Sequence, residues 1–285
     1  MRISGALRAG TARGTTVRTT VGTALATVLA LAALTSCGTT GSTGNSANQA
    51  GPANPENPEN PENPENPENR ENREKPEKPE KPQNPAVTKN LERLPDVGTA
   101  LHKRIPAVSR QALVVRGEGE DSAKSTLYLY EKHGATWDRT RNWPAHNGKR
   151  GWTTDHREGD KRSPVGVFTL SDAGGVLAAP DARLPYTHSP AFQASRTWPK
   201  THWHDFDHVI AIDYNRVKGT PPNDPNRPQG QSKGGYIWLH LDHGSGTSGC
   251  VSVSKSAMRY LLRELDPKSH PVIVMGDQGN LGSSA

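Results

Sequence analysis

Between Gly38 and Lys89 the chain carries almost no large apolar side chain, and within that stretch Pro55 to Asn69 repeats Pro-Glu-Asn with a strict period of three. Such a segment has nothing to bury against the entropy of ordering it, so no core forms there. The repeat passes through Arg-Glu-Asn and Pro-Glu-Lys units as far as Lys81, mixing both charge signs. Proline at every third place favours polyproline II, whose rise of about 3.1 Å per residue lets Pro52 to Pro85 reach about 100 Å when extended. We read it as a spacer. A proline-recognition ligand ranks below that, because the repeat lacks the basic and aromatic residues that make such ligands specific. Whatever folds lies C-terminal to it, and all six tryptophans fall between Trp137 and Trp238.

N-terminal to the spacer, Arg2, Arg8, Arg13 and Arg18 precede an uncharged Ala/Leu/Val-rich run from Val21 to Leu34, with no acidic residue among them. That pattern is an export signal. The run ends in Leu34-Thr35-Ser36-Cys37, which resembles the lipobox of bacterial lipoproteins. The resemblance implies cleavage before Cys37 and acylation of its thiol, a stable membrane anchor because each buried methylene adds about 0.8 kcal/mol. A disulfide between Cys37 and Cys250 is the competing reading. It ranks low because Cys37 sits at a cleavage site followed by polar spacer. The expected organisation is a signal peptide over 1–36, the anchor and spacer over 37–85, one globular domain over 86–277 and a flexible tail over 278–285.

The pI near 9.3 invites a nucleic-acid reading, but the leader holds four of the 35 basic residues. Without it 31 basic residues face 29 acidic ones, a net of +2, so no basic footprint for nucleic acid remains.

Short β-branched or aromatic runs bounded by Gly, Pro and Asp predict strands over 112–116, 126–130, 166–170, 208–214, 236–241 and 271–275. One clear helix is expected over Lys255 to Leu265, with Met258, Leu261, Leu262 and Leu265 on one stripe and Ser254 as its cap. Many strands and few helices predict a mainly β sandwich or barrel-like domain.

The segment richest in chemistry is Tyr236-Ile-Trp-Leu-His240-Leu-Asp-His243-Gly-Ser-Gly-Thr-Ser248-Gly249-Cys250-Val-Ser252. On a strand, His240 shares a face with Trp238 and Asp242 while Ile237, Leu239 and Leu241 pack inward. Gly244, Gly246 and Gly249 then permit a tight return that brings Cys250 near the end of the His240 strand. A thiol with an ordinary pKa of about 8.5 is only partly ionised at neutral pH, so a nucleophilic cysteine wants an imidazole beside it. Backbone N–H groups at Gly249 and Cys250 are candidates to hold an oxyanion. Taken alone, a free cysteine is more often a small buried hydrophobe.

The same segment resembles the active-site signature of the L,D-transpeptidase family, the YkuD-type catalytic domain. Trp238-Leu-His240 and Thr247-Ser-Gly-Cys250 match the strand histidine and the Ser/Thr-x-Gly-Cys motif. Upstream, Glu158-Gly-Asp-Lys-Arg-Ser-Pro164-Val-Gly166-Val-Phe168 is similar to the segment that precedes a strand in these enzymes. The resemblance implies a YkuD-like β-sandwich or barrel with a few short helices. It implies Cys250 as nucleophile and His240 as base, acting on peptidoglycan stem peptides without metal or organic cofactor. Formation of 3–3 cross-links is the expected activity, at the outer face of the cell membrane and by a monomer; L,D-carboxypeptidase action and a catalytically silent wall-binding module are the alternatives. Three departures bear on the oxyanion and substrate site. Ser248 stands where many members have His, with His243 as candidate substitute; the loop from His240 to Cys250 is short; and Ser252 stands where Arg or Asn is common.

A rival reading starts from His202-Trp-His204-Asp205-Phe-Asp207-His208, which resembles the His-x-His-x-Asp-His zinc motif of metallo-β-lactamase-fold enzymes. The spacing is off by one residue, and the helix–strand alternation of that fold is missing, so loop-capping roles are expected for these residues.

Overall fold

The computed structural model describes residues 87–283; the leader, Cys37 and the spacer lie outside them. The chain opens with β1 (Thr88–Leu91) and a single helical turn, α1 (Thr99–His102). Three long strands follow in antiparallel succession: β2 (Gln111–Gly117), β3 (Lys124–His133) and β4 (Thr136–His146). Short strands come next: β5 (Trp152–Thr153), β6 (Ser163–Pro164), β7 (Gly166–Thr169), β8 (Ala173–Gly175), β9 (Tyr186–His188), β10 (Val209–Ala211), β11 (Trp238–Leu241) and β12 (Val251–Val253). The chain closes with α2 (Lys255–Glu264), β13 (Val272–Asp277) and α3 (Gln278–Gly282).

Apart from β5 and β6, which pair with each other, the strands form one mixed sheet in the order β7-β13-β2-β3-β4-β12-β11-β10-β8-β9, with β1 added on β4. The domain is mainly β, as its composition of short β-branched runs predicts. One face of the sheet covers the main core. Leu113 and Val115 of β2, Ile273 and Met275 of β13, Leu239 and Leu241 of β11 and Val251 and Val253 of β12 all face it, together with Met258, Leu261 and Leu262 of α2. Ala112, Val114, Val272 and Val274 point the other way, into a second cluster with Leu94, Leu101 and Leu281. Covering both faces explains why β2 reads as an unbroken apolar run instead of an alternating one.

Helix α2 begins where the sequence predicts, Ser254 accepting a hydrogen bond from Ala257 N at 3.3 Å. One expectation is corrected, and one strand was not anticipated. The presumed flexible tail contains α3, because Asp277 caps Gly279 N and Asn280 N and Leu281 is fully buried. Strand β4, which joins the two halves of the sheet through β3 and β12, has no apolar alternation to announce it. Its charged residues settle on aromatic faces instead: Arg139 lies 5.7 Å from the Tyr128 ring centroid and Arg141 5.3 Å from that of Tyr260.

Candidate active site

Strands β11 and β12 are adjacent and parallel, with Leu239 beside Val251 and His240 beside Ser252. Parallel neighbours ordinarily need a crossover of about a dozen residues or more. Here the run from Asp242 to Cys250 suffices, and its glycines show why. Gly244 and Gly249 take φ of +82° and +144°, and a Cβ on Gly246 would lie 2.8 Å from Lys149 Cα. The return therefore ends at the start of β11, beside Trp238, and not at its His240 end as the sequence reading placed it. Because paired residues of parallel strands share a face, Cys250 still lies on the His240 side of the sheet, two residues away along it.

The sulfur is held by backbone. Trp238 N donates to Sγ at 3.4 Å, and the thiol donates to Tyr236 O at 3.3 Å. Tyr236 adopts φ of +54°, an uncommon conformation for an aromatic residue, which breaks the strand before β11 and turns its carbonyl to the thiol. Cys250 packs against the cluster of Phe192, Val209, Ala211 and Trp238. Burial pushes its pKa up to about 11. His240 is buried against Phe206, ring centroids 5.4 Å apart, and burial lowers its pKa to about 4. Both groups are therefore neutral in the resting site.

His240 Nδ1 sits 2.8 Å from Leu241 O, so Nδ1 carries the proton and Nε2 is left with a free lone pair. The orienting group is thus a backbone carbonyl. Asp242 is occupied elsewhere, accepting from Ser252 Oγ at 2.6 Å and lying 2.8 Å from His146 Nδ1. Burial pushes its carboxyl up, but the Ser252 and His146 contacts outweigh this and hold it below the usual range. Ser252 is fully buried and its hydroxyl belongs to that network. Gly249 N–H donates to Thr247 Oγ1 at 3.1 Å within the turn. Ser248 is exposed at the tip. His243 is far from idle: its ring stacks on His240 at 6.0 Å and its Nδ1 lies 3.1 Å from Asp205 Oδ2. The Asp205 carboxylate pushes the pKa of His243 upward, against burial.

The two sequence motifs meet here. Ser163 Oγ donates to Gly249 O at 2.7 Å and accepts from Gly148 N at 2.9 Å, while Thr247 Oγ1 donates to Cys250 O at 2.6 Å. Asp160 closes its own loop by accepting from Arg157 N and Arg162 N. Beyond them, Asp205, Phe206, Tyr236 and Thr247 belong to the site and were not singled out as members of it. All four lay inside quoted segments, Tyr236 and Thr247 in the cysteine segment and Asp205 and Phe206 in the histidine-rich one, but that the two segments meet is decided by strand pairing that sequence distance hides.

A histidine strand, a glycine-led return and a backbone-held thiol braced by an upstream Ser-Pro strand make one unit, and the family model for the L,D-transpeptidase catalytic domain, YkuD, matches Leu113 to Val274. The chain belongs to the YkuD family. The zinc-hydrolase reading of residues 202–208 falls with it, since His204 is exposed beside Asp207 and His208 Nδ1 pairs with Tyr186 Oη at 2.9 Å. No curated protein sequence matches the chain. Among solved structures, that of Bdellovibrio bacteriovorus Bd1075 is similar at 17% identity with a TM-score of 0.35, covering 66% of this chain and 53% of that one. The chain thus spans about half of that protein. YkuD domains are cysteine-dependent L,D-transpeptidases that work on cell-wall stem peptides. Among the described residues no helix is long and apolar enough to cross a membrane.

Proposed function

We propose that the protein is a peptidoglycan L,D-transpeptidase that makes 3–3 cross-links through a thioester on Cys250. The observation that carries the reading is the pairing of β11 and β12, which sets the Cys250 thiol and an oriented, neutral His240 on one face of adjacent strands. Because thiol and imidazole are both neutral at rest, proton transfer accompanies attack and does not precede it. Sγ attacks the carbonyl that follows the L-centre of the stem's diamino acid, and the thiol proton passes to His240 Nε2. The tetrahedral adduct then expels the terminal D-alanine as its amine takes that proton, leaving an acyl-thioester. An amine of a neighbouring stem attacks the thioester, gives its proton to His240, and a new amide forms as Cys250 recovers its thiol. Ser248 is exposed on the return that bears Cys250, which supports a place for it beside an incoming peptide. Water in place of the acceptor amine would make the same site an L,D-carboxypeptidase.

The leader and Cys37 support an exported, lipid-anchored enzyme, and the proline-rich spacer supports reach from membrane to wall. Mass spectrometry of the protein incubated with disaccharide-tetrapeptide tests the chemistry. The expected result is a Cys250 acyl adduct and a cross-linked dimer with wild type and neither with Cys250→Ala. Identical products from both proteins would sink the thiol mechanism.

A further inference from the structure

We propose that His202, Asp205 and His243 form a binding site for a zinc-class divalent cation that fastens the Cys250 loop to the wall of the thiol pocket. The three residues come from two distant segments. His202 ends a 3-10 turn and Asp205 follows it, whereas His243 projects from the run between β11 and β12. One donor atom from each lies within 4.8 Å of the other two. His202 Nδ1 is 2.9 Å and His243 Nδ1 3.1 Å from the same oxygen, Asp205 Oδ2. Ligands held at about 2.0–2.2 Å from a tetrahedral zinc are about 3.3 Å apart, so each imidazole nitrogen needs to draw back from Asp205 Oδ2 by only a few tenths of an ångström.

The second observation is the state of His243. Its side chain is 4% exposed, and neither ring nitrogen makes a well-aligned hydrogen bond, although the Asp205 carboxylate and the Gly246 backbone lie close enough to raise its pKa. A buried imidazole nitrogen without a well-aligned partner is costly in a protein interior, and giving the lone pair of Nδ1 to a metal supplies that nitrogen with one. Asp205 is 5% exposed and His202 23%, which leaves one side of the trio open for a fourth ligand such as water. Two imidazole nitrogens and one carboxylate suit zinc, cobalt or nickel and not the all-oxygen preference of calcium or magnesium.

This cluster is not the consecutive zinc motif weighed from the sequence. His204 pairs with Asp207 and His208 with Tyr186, outside the trio. Nor does the inference depend on the role of Cys250. Bound metal would link the loop that bears Cys250 to the segment whose Phe206 packs on Trp238 and His240.

The test uses the full chain with Cys250→Ser, so that the thiol cannot supply a ligand, and titrates zinc against a chromophoric chelator. One equivalent is expected at micromolar concentration or tighter, and cobalt is expected to give the visible bands of a four-coordinate nitrogen–oxygen site. Asp205→Asn and His243→Gln are expected to weaken zinc roughly 10–100-fold or more, the scale at which even groups supporting a ligand act. His204→Gln should leave binding unchanged. Should the buried substitutions unfold the protein, His202→Gln, at the most exposed ligand, takes their place. Zinc should also raise the melting temperature of Cys250→Ser protein and not that of the ligand variants. Failure of the Cys250→Ser protein to bind zinc, binding that survives loss of the ligands, or equal loss in His204→Gln would overturn the site.

Discussion

At the scale of single residues, the resting site is a buried thiol and a buried imidazole, each pushed by desolvation toward its uncharged form. The alkylation rate of Cys250 by iodoacetamide is therefore expected to climb about tenfold per pH unit from neutrality toward pH 11. A plateau beginning near pH 7 would show a thiolate already present and contradict the neutral pair. His240→Gln removes the base while leaving the sulfur held by Tyr236 and Trp238. Turnover on stem peptide should fall about 10²–10⁴-fold, with alkylation of the thiol little altered. Parallel loss of both would mean that His240 only supports the fold. The left-handed backbone at Tyr236 belongs to the same economy, since it turns a carbonyl toward the sulfur at a place where a strand would otherwise continue.

At the scale of elements, the site depends on two connections. One is the tight return into β12, braced by Ser163 through Gly249 O and Gly148 N. Ser163→Ala leaves both backbone groups buried without that partner and is expected to cost about 1–3 kcal/mol in urea denaturation. A loss below about 0.5 kcal/mol would show that the loop stands without it. The other connection is the long loop from β10 to Tyr236, stitched to the sheet by Arg216, whose guanidinium pairs with Asp172 at 2.9 Å and with Asp213. All three side chains are almost wholly buried, so Arg216→Ala strands two carboxylates. The expected loss is about 3–5 kcal/mol, read from the denaturation midpoint, and an unchanged midpoint would refute the role.

At the scale of the whole molecule, acid is the natural stress. Burial lowers the pKa of His240, His156, His208 and His102 below their unfolded value. The unfolded chain then takes up protons first, so stability falls as pH drops below about 6.5 and continues to fall toward the His240 value of about 4. Asp205 and Asp242, held below the carboxylate range, contribute stability that is lost further down as pH falls through their folded values. His243 works in the opposite sense: its pKa is raised, so its contribution is full below about 6.5 and fades as pH rises through the folded value. Four depressed imidazoles outweigh one raised. Urea midpoints should fall steadily from pH 7 to pH 4.5, and constant midpoints over that range would refute the assignment.

Much of the site could be read from the chain itself because its signals are local. Helix α2 follows from its apolar stripe and Ser254, and the Cys250 and His240 candidates from a short segment whose glycines permit a return. Strand β4 escaped because its charges lie over aromatic rings supplied by β3 and α2, and α3 because its anchor, Leu281, is buried by residues far away in sequence. The direction of the return was equally out of reach, for glycine permits a turn without choosing where it ends; the pairing of β12 between β4 and β11 chooses. Tertiary structure alone brought Asp205 and His243 together and gave His240 to a backbone carbonyl. Residue type and spacing determine which chemistry is available, whereas strand pairing and burial decide which atoms meet and which of them keep their protons.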